Sequence, residues 1–303
     1  MPRAVVPRPA VDGGPEIELE YVTHGDPAGV PLLMINGFNS QLIAWSPSLL
    51  EALVGAGFFV VTFDNRDCGL STKLDGVDVD VRAALHATRH GGEMPPVPYR
   101  LSDMAADAVG LLDVLGVERA HVLGVSMGGM IAQTFAIEHP SRTRSLISVM
   151  SFSGEWEYGT PTREAGAVLL AAPPRDRDDF IANSERTRVW QSKRWFDAAL
   201  TRRRAAAEYD RSFCPEGAPR QLAAIYASGS RADALASLRV PALVIHGRDD
   251  TLIPPTGGQR TAELIPSASF LLLADMGHDL PVPLEPTIVS AITNHARLTD
   301  ARP

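Results

Sequence analysis

The sequence predicts an α/β fold: a doubly wound, mostly parallel sheet flanked by helices, with a helical insertion near the middle. Three observations predict it. Short apolar runs alternate with helix-period segments, which favours parallel strands joined by crossover helices. Two of the runs, residues 31–35 and 58–63, are almost wholly apolar, as strands covered on both faces are. The alternation stops at about residue 153 and resumes near residue 242.

Taken in order, residues 1–15 are rich in Pro and Gly and read as a loose lead-in. Strands are expected at 16–22, 31–35 and 58–63. A helix is expected at 42–54, ended by Gly55 and Gly57. Residues 73–99 form a long connection, and connections longer than about 12–15 residues are often functional or mobile. In residues 100–116, Leu101, Met104, Ala105, Val109, Leu112 and Leu115 recur at helical spacing, with Ser102 as a cap. A strand at 121–125 leads into a helix at 127–138 closed by His139-Pro140, and another strand follows at 146–150. Residues 153–235 carry helical stretches, many Arg and Asp, and Trp156, Trp190 and Trp195, without a convincing strand. The division is therefore a core of residues 1–152 and 236–303 with a helical cap of residues 153–235. The core closes with strands at 242–246 and 269–274 and helices at 257–264 and 285–297.

The composition bounds the function. A formal charge of −8 disfavours nucleic acid, whose phosphates attract a basic face. No apolar run reaches the ~18 residues of a membrane span, and residues 1–14 lack the apolar core of a signal peptide, so a cytoplasmic protein is expected. Cys68 and Cys214 are too few for a disulfide framework and read as free thiols. No nucleotide loop or metal cluster is visible, so no cofactor is expected. His86 and His90 have no third ligand and read as surface residues. Nothing in the chain specifies an oligomeric state.

The strongest chemical signal is Gly124-Val125-Ser126-Met127-Gly128-Gly129, between a predicted strand and a predicted helix. A serine on such a turn stands clear of the backbone, and the flanking glycines leave room where a Cβ would collide. The helix start also offers unpaired N–H groups that favour negative charge. A serine hydroxyl needs a base. His278, in Asp275-Met276-Gly277-His278-Asp279-Leu280-Pro281, follows a strand and can reach the carboxyl edge of the sheet. The acid that orients it has candidates in Asp249 and Asp250, after the strand at 242–246, with Glu155 as an outside choice. His246 reads as a structural residue. Charge that develops on a substrate oxygen needs two donors. These are the N–H of Met127 and that of Phe38, in the loop Asn36-Gly37-Phe38-Asn39-Ser40. Asn36, Gly37 and Trp156 are the candidate pocket residues.

Together these segments resemble the α/β-hydrolase superfamily over about residues 16–298. The resemblance rests on Ile35-Asn36-Gly37-Phe38, Asp64-Asn65-Arg66-Asp67-Cys68-Gly69-Leu70-Ser71, Gly124 to Gly129, Gly247 to Pro254 and Gly277-His278. It implies that the acid is Asp250, three residues past Gly247. Asp64 to Ser71 and Met276 to Pro281 are most similar to bacterial esterases of the aclacinomycin methylesterase type. That implies cleavage of a small-molecule carboxylic ester through an acyl-enzyme. Many relatives have His-Gly where this chain has Asn36-Gly37. The same three residues would also serve a thioesterase, a carbon–carbon bond hydrolase, a perhydrolase or a ligand receptor without turnover.

Overall fold

Burial on both faces sets the centre of the molecule. In the computed structural model, which describes residues 2–6 and 16–301, eight strands form one sheet. They are β1 (Arg3–Val6), β2 (Ile17–His24), β3 (Val30–Ile35), β4 (Phe58–Phe63), β5 (Ala120–Val125), β6 (Thr143–Val149), β7 (Ala242–Gly247) and β8 (Ala268–Leu273). Their order is β1-β2-β4-β3-β5-β6-β7-β8, with β2 antiparallel to both of its neighbours and every other pair parallel.

Before the insertion lie helices α1 (Pro47–Gly55), α2 (Val81–His90), α3 (Leu101–Val114) and α4 (Met127–Glu138). Between β6 and β7 lie α5 (Trp156–Gly159), α6 (Arg163–Leu169), α7 (Arg177–Ser184), α8 (Ala198–Arg211), α9 (Gly217–Ala227) and α10 (Ala232–Ala236), and among the described residues this segment has no strand. The core closes with α11 (Pro255–Leu264) and α12 (Glu285–Asp300).

Alternate strand residues face opposite sides. Leu33, Ile35, Val61 and Phe63 pack with Leu101, Met104, Ile131 and Phe135 of α3 and α4. Leu32, Met34, Val60 and Ile147 pack with Leu49, Leu53, Ile288 and Ile292 of α1 and α12. Because β3 lies between β4 and β5, the chain reverses its winding there. The loops after β3 and β5 therefore part at the carboxyl edge and leave a crevice.

Four sequence expectations change. Residues 1–15 are not all lead-in: Arg3–Val6 pairs with β2, because Ala4 and Val6 alternate into the core while Arg3 and Val5 face out. Residues 7–15 lie outside the described residues. The helix expected at 42–54 is a 3-10 turn, Leu42–Ala44, and then α1. Pro47 lacks an N–H and clashes inside a helix, so it takes the first helical position, and Ser46 Oγ caps the end by accepting from Leu49 N–H. Ser102 is not a cap: α3 starts at Leu101, whose N–H donates to Ser228 Oγ at 2.9 Å, and Ser102 Oγ binds Glu138 instead. The connection 73–99 contains α2, capped by Asp80, with Ala84 and Ala87 buried and His86 and His90 exposed.

The helical segment is tied to the core by buried charge. After β4, Asp64 accepts from Arg211 at 2.7 Å, and Asp67 accepts from both Nε and Nη2 of Arg220 and from the Tyr99 hydroxyl. Burial first, and Asp67 second, push the Tyr99 phenol up. Arg66 is held by Asp107 at 2.6 Å. Removing one partner of a buried pair leaves an uncompensated charge and costs about 3–5 kcal/mol. Arg220→Ala is therefore expected to lower unfolding stability by about that amount in urea. Arg177→Ala, which breaks the exposed pair with Asp210, should change little. Equal midpoints for the two variants would contradict this account of the join.

Candidate active site

The nucleophile candidate sits on a backbone that only close packing sustains. Ser126 has φ 55° and ψ −120°, in a region that L-residues rarely adopt, between β5 and α4. Its N–H donates to Val149 O at 2.9 Å. A Cβ on Gly124 would lie 1.9 Å from Gly128 O, and one on Gly128 would lie 2.1 Å from Ile35 O. The two glycines thus let the start of α4 press onto the ends of β5 and β3.

The loops after β7 and β8 bring two further groups to Ser126. His278 Nε2 is 2.9 Å from Ser126 Oγ, and His278 Nδ1 is 2.6 Å from Asp250 Oδ2. A carboxylate only accepts, so Nδ1 carries the proton and Nε2 is free to accept from the serine hydroxyl. The other Asp250 oxygen accepts from the N–H groups of Leu252 and Ile253, each at 2.9 Å. Burial pushes the Asp250 carboxyl up. The charge of His278 and hydrogen bonds from His246 and His278 outweigh that and hold it below the ordinary carboxylate range.

The other acid candidates are engaged elsewhere. Asp249 donates its N–H to Met276 O and pairs its carboxylate loosely with Arg248. Glu155 receives Arg260 at 3.0–3.3 Å and Ser153 Oγ at 2.8 Å, and the Arg260 hydrogen bonds hold its carboxyl low. His246 is buried, with Nε2 2.9 Å from Ile253 O and 3.4 Å from Asp250 Oδ2.

Gly37 brings the loop after β3 against the serine: a Cβ there would sit 3.2 Å from Ser126 Cβ and 3.8 Å from its Oγ. Phe38 is the next residue in this loop, and Met127 is the first residue of α4. The N–H of Met127 precedes the first intrahelical hydrogen bond. The Phe38 loop is pinned from α9, where Gln221 Oε1 accepts from Asn39 N–H at 2.8 Å.

Of the pocket candidates, Asn36 is buried, and its Nδ2 reaches Phe63 O while its carbonyl accepts from Asn65, so it ties the ends of β3 and β4. Trp156 is half-buried and packs on Phe152 and Tyr226, with ring centroids 5.1 and 5.4 Å away. Trp195 lies under the Arg194 guanidinium. Trp190 meets the site through its backbone: its carbonyl accepts from His278 N–H at 2.7 Å. The sequence reading did not single out this contact, Ser192 or Gln221, because each joins residues far apart in the chain.

Cys68 is a buried thiol and Cys214 a half-buried one. Among the described residues no three His, Cys, Asp or Glu side chains form a metal cluster, and no helix is long and apolar enough to cross a membrane.

The comparisons agree with this architecture. Rhodomycin D methylesterase of Streptomyces peucetius is 29% identical over 299 residues, covering 90% of this chain and 93% of that protein. The 2-hydroxy-6-oxononadienedioate/2-hydroxy-6-oxononatrienedioate hydrolase 2 of Pseudomonas putida is 28% identical over 281 residues, covering 88% and 87%. A thermophilic esterase from Thermogutta terrifontis superposes with a TM-score of 0.72 at 24% identity, covering 99% of both chains. The family model of the alpha/beta hydrolase fold matches residues 30–282, and with the sheet order and the strand-to-helix turn at Ser126 it establishes that this chain belongs to the α/β-hydrolase family.

Proposed function

We propose that this chain is a serine esterase that cleaves small-molecule carboxylic esters through an acyl-enzyme. The observation that carries this is the unbroken hydrogen-bonded line from Asp250 through His278 to Ser126, ending on a serine held at positive φ. The identity to rhodomycin D methylesterase supports the ester as the bond cleaved.

The chemistry follows from the donors. As Ser126 Oγ attacks the ester carbonyl carbon, its proton passes to His278 Nε2. Asp250 stabilises the resulting imidazolium and holds its ring plane. The carbonyl oxygen becomes an oxyanion and accepts from the N–H groups of Met127 and Phe38. Removing one such donor typically costs about 3–4 kcal/mol of barrier. Collapse of the intermediate breaks the bond to the alcohol oxygen, which takes the proton from His278. Water then attacks the acyl-enzyme, gives its proton to His278, and releases the acid as Ser126 regains the proton.

Residues 153–235 act as a cap whose helices limit which acyl and alcohol groups enter. Its placement between β6 and β7, beside the strands that lead to Ser126 and Asp250, supports this reading.

A panel of short-chain aryl esters, thioesters and lactones tests the proposal. Multiple turnovers of at least one ester are expected, with a burst of alcohol when the acyl-enzyme forms faster than it is hydrolysed. Binding without turnover across the panel would contradict an esterase. The relative from Pseudomonas putida carries a second reading, hydrolysis of 2-hydroxy-6-oxo dienedioates. Preference for such a substrate over every ester would select it.

A further inference from the structure

We propose that Ser192 and Asp279 form a latch by which the helical segment holds His278 in line, making both of them positioning residues. This inference rests on the reading of His278 as the base.

The loop that bears His278 is braced on two sides. On one side the β7 loop presses against it: a Cβ on Gly247 would lie 2.4 Å from both Met276 O and Gly277 O, and Asp249 N–H donates to Met276 O at 2.9 Å. The other side meets residues 190–192, far away in sequence. There His278 N–H donates to Trp190 O at 2.7 Å, and Gly277 N–H donates to Ser192 Oγ at 2.9 Å. Ser192 in turn donates both its N–H, at 2.9 Å, and its hydroxyl proton to Asp279 Oδ1. The two chain neighbours of His278 are thus both bonded to one serine. A Cβ on Gly277 would sit 2.3 Å from Trp190 O, so this approach requires glycine.

Two features separate the latch from ordinary surface bonding. Ser192 is fully buried, so its hydroxyl has no water to replace these partners. Asp279 is a second carboxylate beside the base, and burial pushes its carboxyl up. Oδ1 of Asp279 is fixed by two donors from Ser192, while His278 Nδ1 is paired with Asp250. Misplacing a catalytic group by about 1 Å can cost on the order of a hundredfold in rate. A latch acting on both neighbours of His278 controls displacements of that size.

The test compares Asp279→Ala, Ser192→Ala, the double variant and Asp279→Asn. Each is measured for the rate of Ser126 labelling by a fluorophosphonate and for kcat and KM on an aryl ester. The two alanine variants are expected to lose roughly tenfold to a hundredfold in labelling rate and kcat, with KM nearly unchanged. The double variant should lose less than the product of the two single losses, because the bond from the Ser192 hydroxyl to Asp279 is common to both. Asp279→Asn keeps an acceptor oxygen for Ser192 and should recover most of the rate. Should Asp279→Ala fail to fold, Ser192→Ala breaks the same latch from the other side. Folded alanine variants that label at the wild-type rate would overturn the latch, as would an asparagine variant as slow as alanine. His278→Ala separates this from the underlying reading: labelling at the wild-type rate would remove the base itself. Loss in His278→Ala beside unimpaired latch variants would remove only the latch.

Discussion

Ser126→Ala is expected to lower ester turnover by roughly 10⁴- to 10⁶-fold, the range in which loss of a nucleophile leaves only binding and charge stabilisation. The substitution deletes the hydroxyl proposed to carry the acyl group, while the turn that presents it is built from Gly124, Gly128 and the Val149 carbonyl. Thermal unfolding should therefore shift little. Alanine is as constrained at φ 55° as serine is, so no new strain arises. A variant that stays folded and turns over within tenfold of wild type would exclude Ser126 as the nucleophile.

Asp250→Asn is expected to lower kcat by about 10⁴-fold, and Asp249→Asn by no more than a few-fold. The asparagine carbonyl can still accept from Leu252 and Ile253 N–H, as Asp250 Oδ1 does. That leaves the amide N–H₂ facing His278 Nδ1, which must then become an acceptor. The imidazole proton moves to Nε2, where it points at Ser126 Oγ and cannot receive the hydroxyl proton. Asp249 reaches neither nitrogen, because its backbone is tied to Met276 and its side chain faces Arg248. Stability follows the same carboxylate. Its folded-state ionisation is favoured over that of the unfolded chain, so it contributes stability above the ordinary carboxylate range, near pH 4. That contribution is lost as pH falls through the folded value. The stability gap between wild type and Asp250→Asn should therefore narrow in acid. Equal losses in kcat for the two variants would overturn the choice of Asp250.

The buried strands were legible because burial on both faces demands uninterrupted apolar runs, as at β3, β4 and β7. The turn at Ser126 was legible because its glycines are required at fixed spacing by direct backbone contact. Short and long-range features were not. β1 has only four residues, and its alternation is too brief to stand out. α2 is rich in Arg and His, and only Ala84 and Ala87 mark its buried face. No local pattern in the sequence shows that Asp64 pairs with Arg211 or Asp67 with Arg220. Ser192 lies 87 residues before Asp279, and nothing near either one signals their meeting.

Trapping the covalent intermediate tests the central claim most directly. An aryl acetate would be mixed with enzyme, quenched in acid within a single turnover, and the digested protein examined by mass spectrometry. The account predicts one acetyl group on the peptide carrying Ser126, appearing with the burst of aryl alcohol and decaying at the rate of steady turnover. Steady turnover with the acetyl group on another residue, or a burst of alcohol that leaves the Ser126 peptide unmodified, would contradict it.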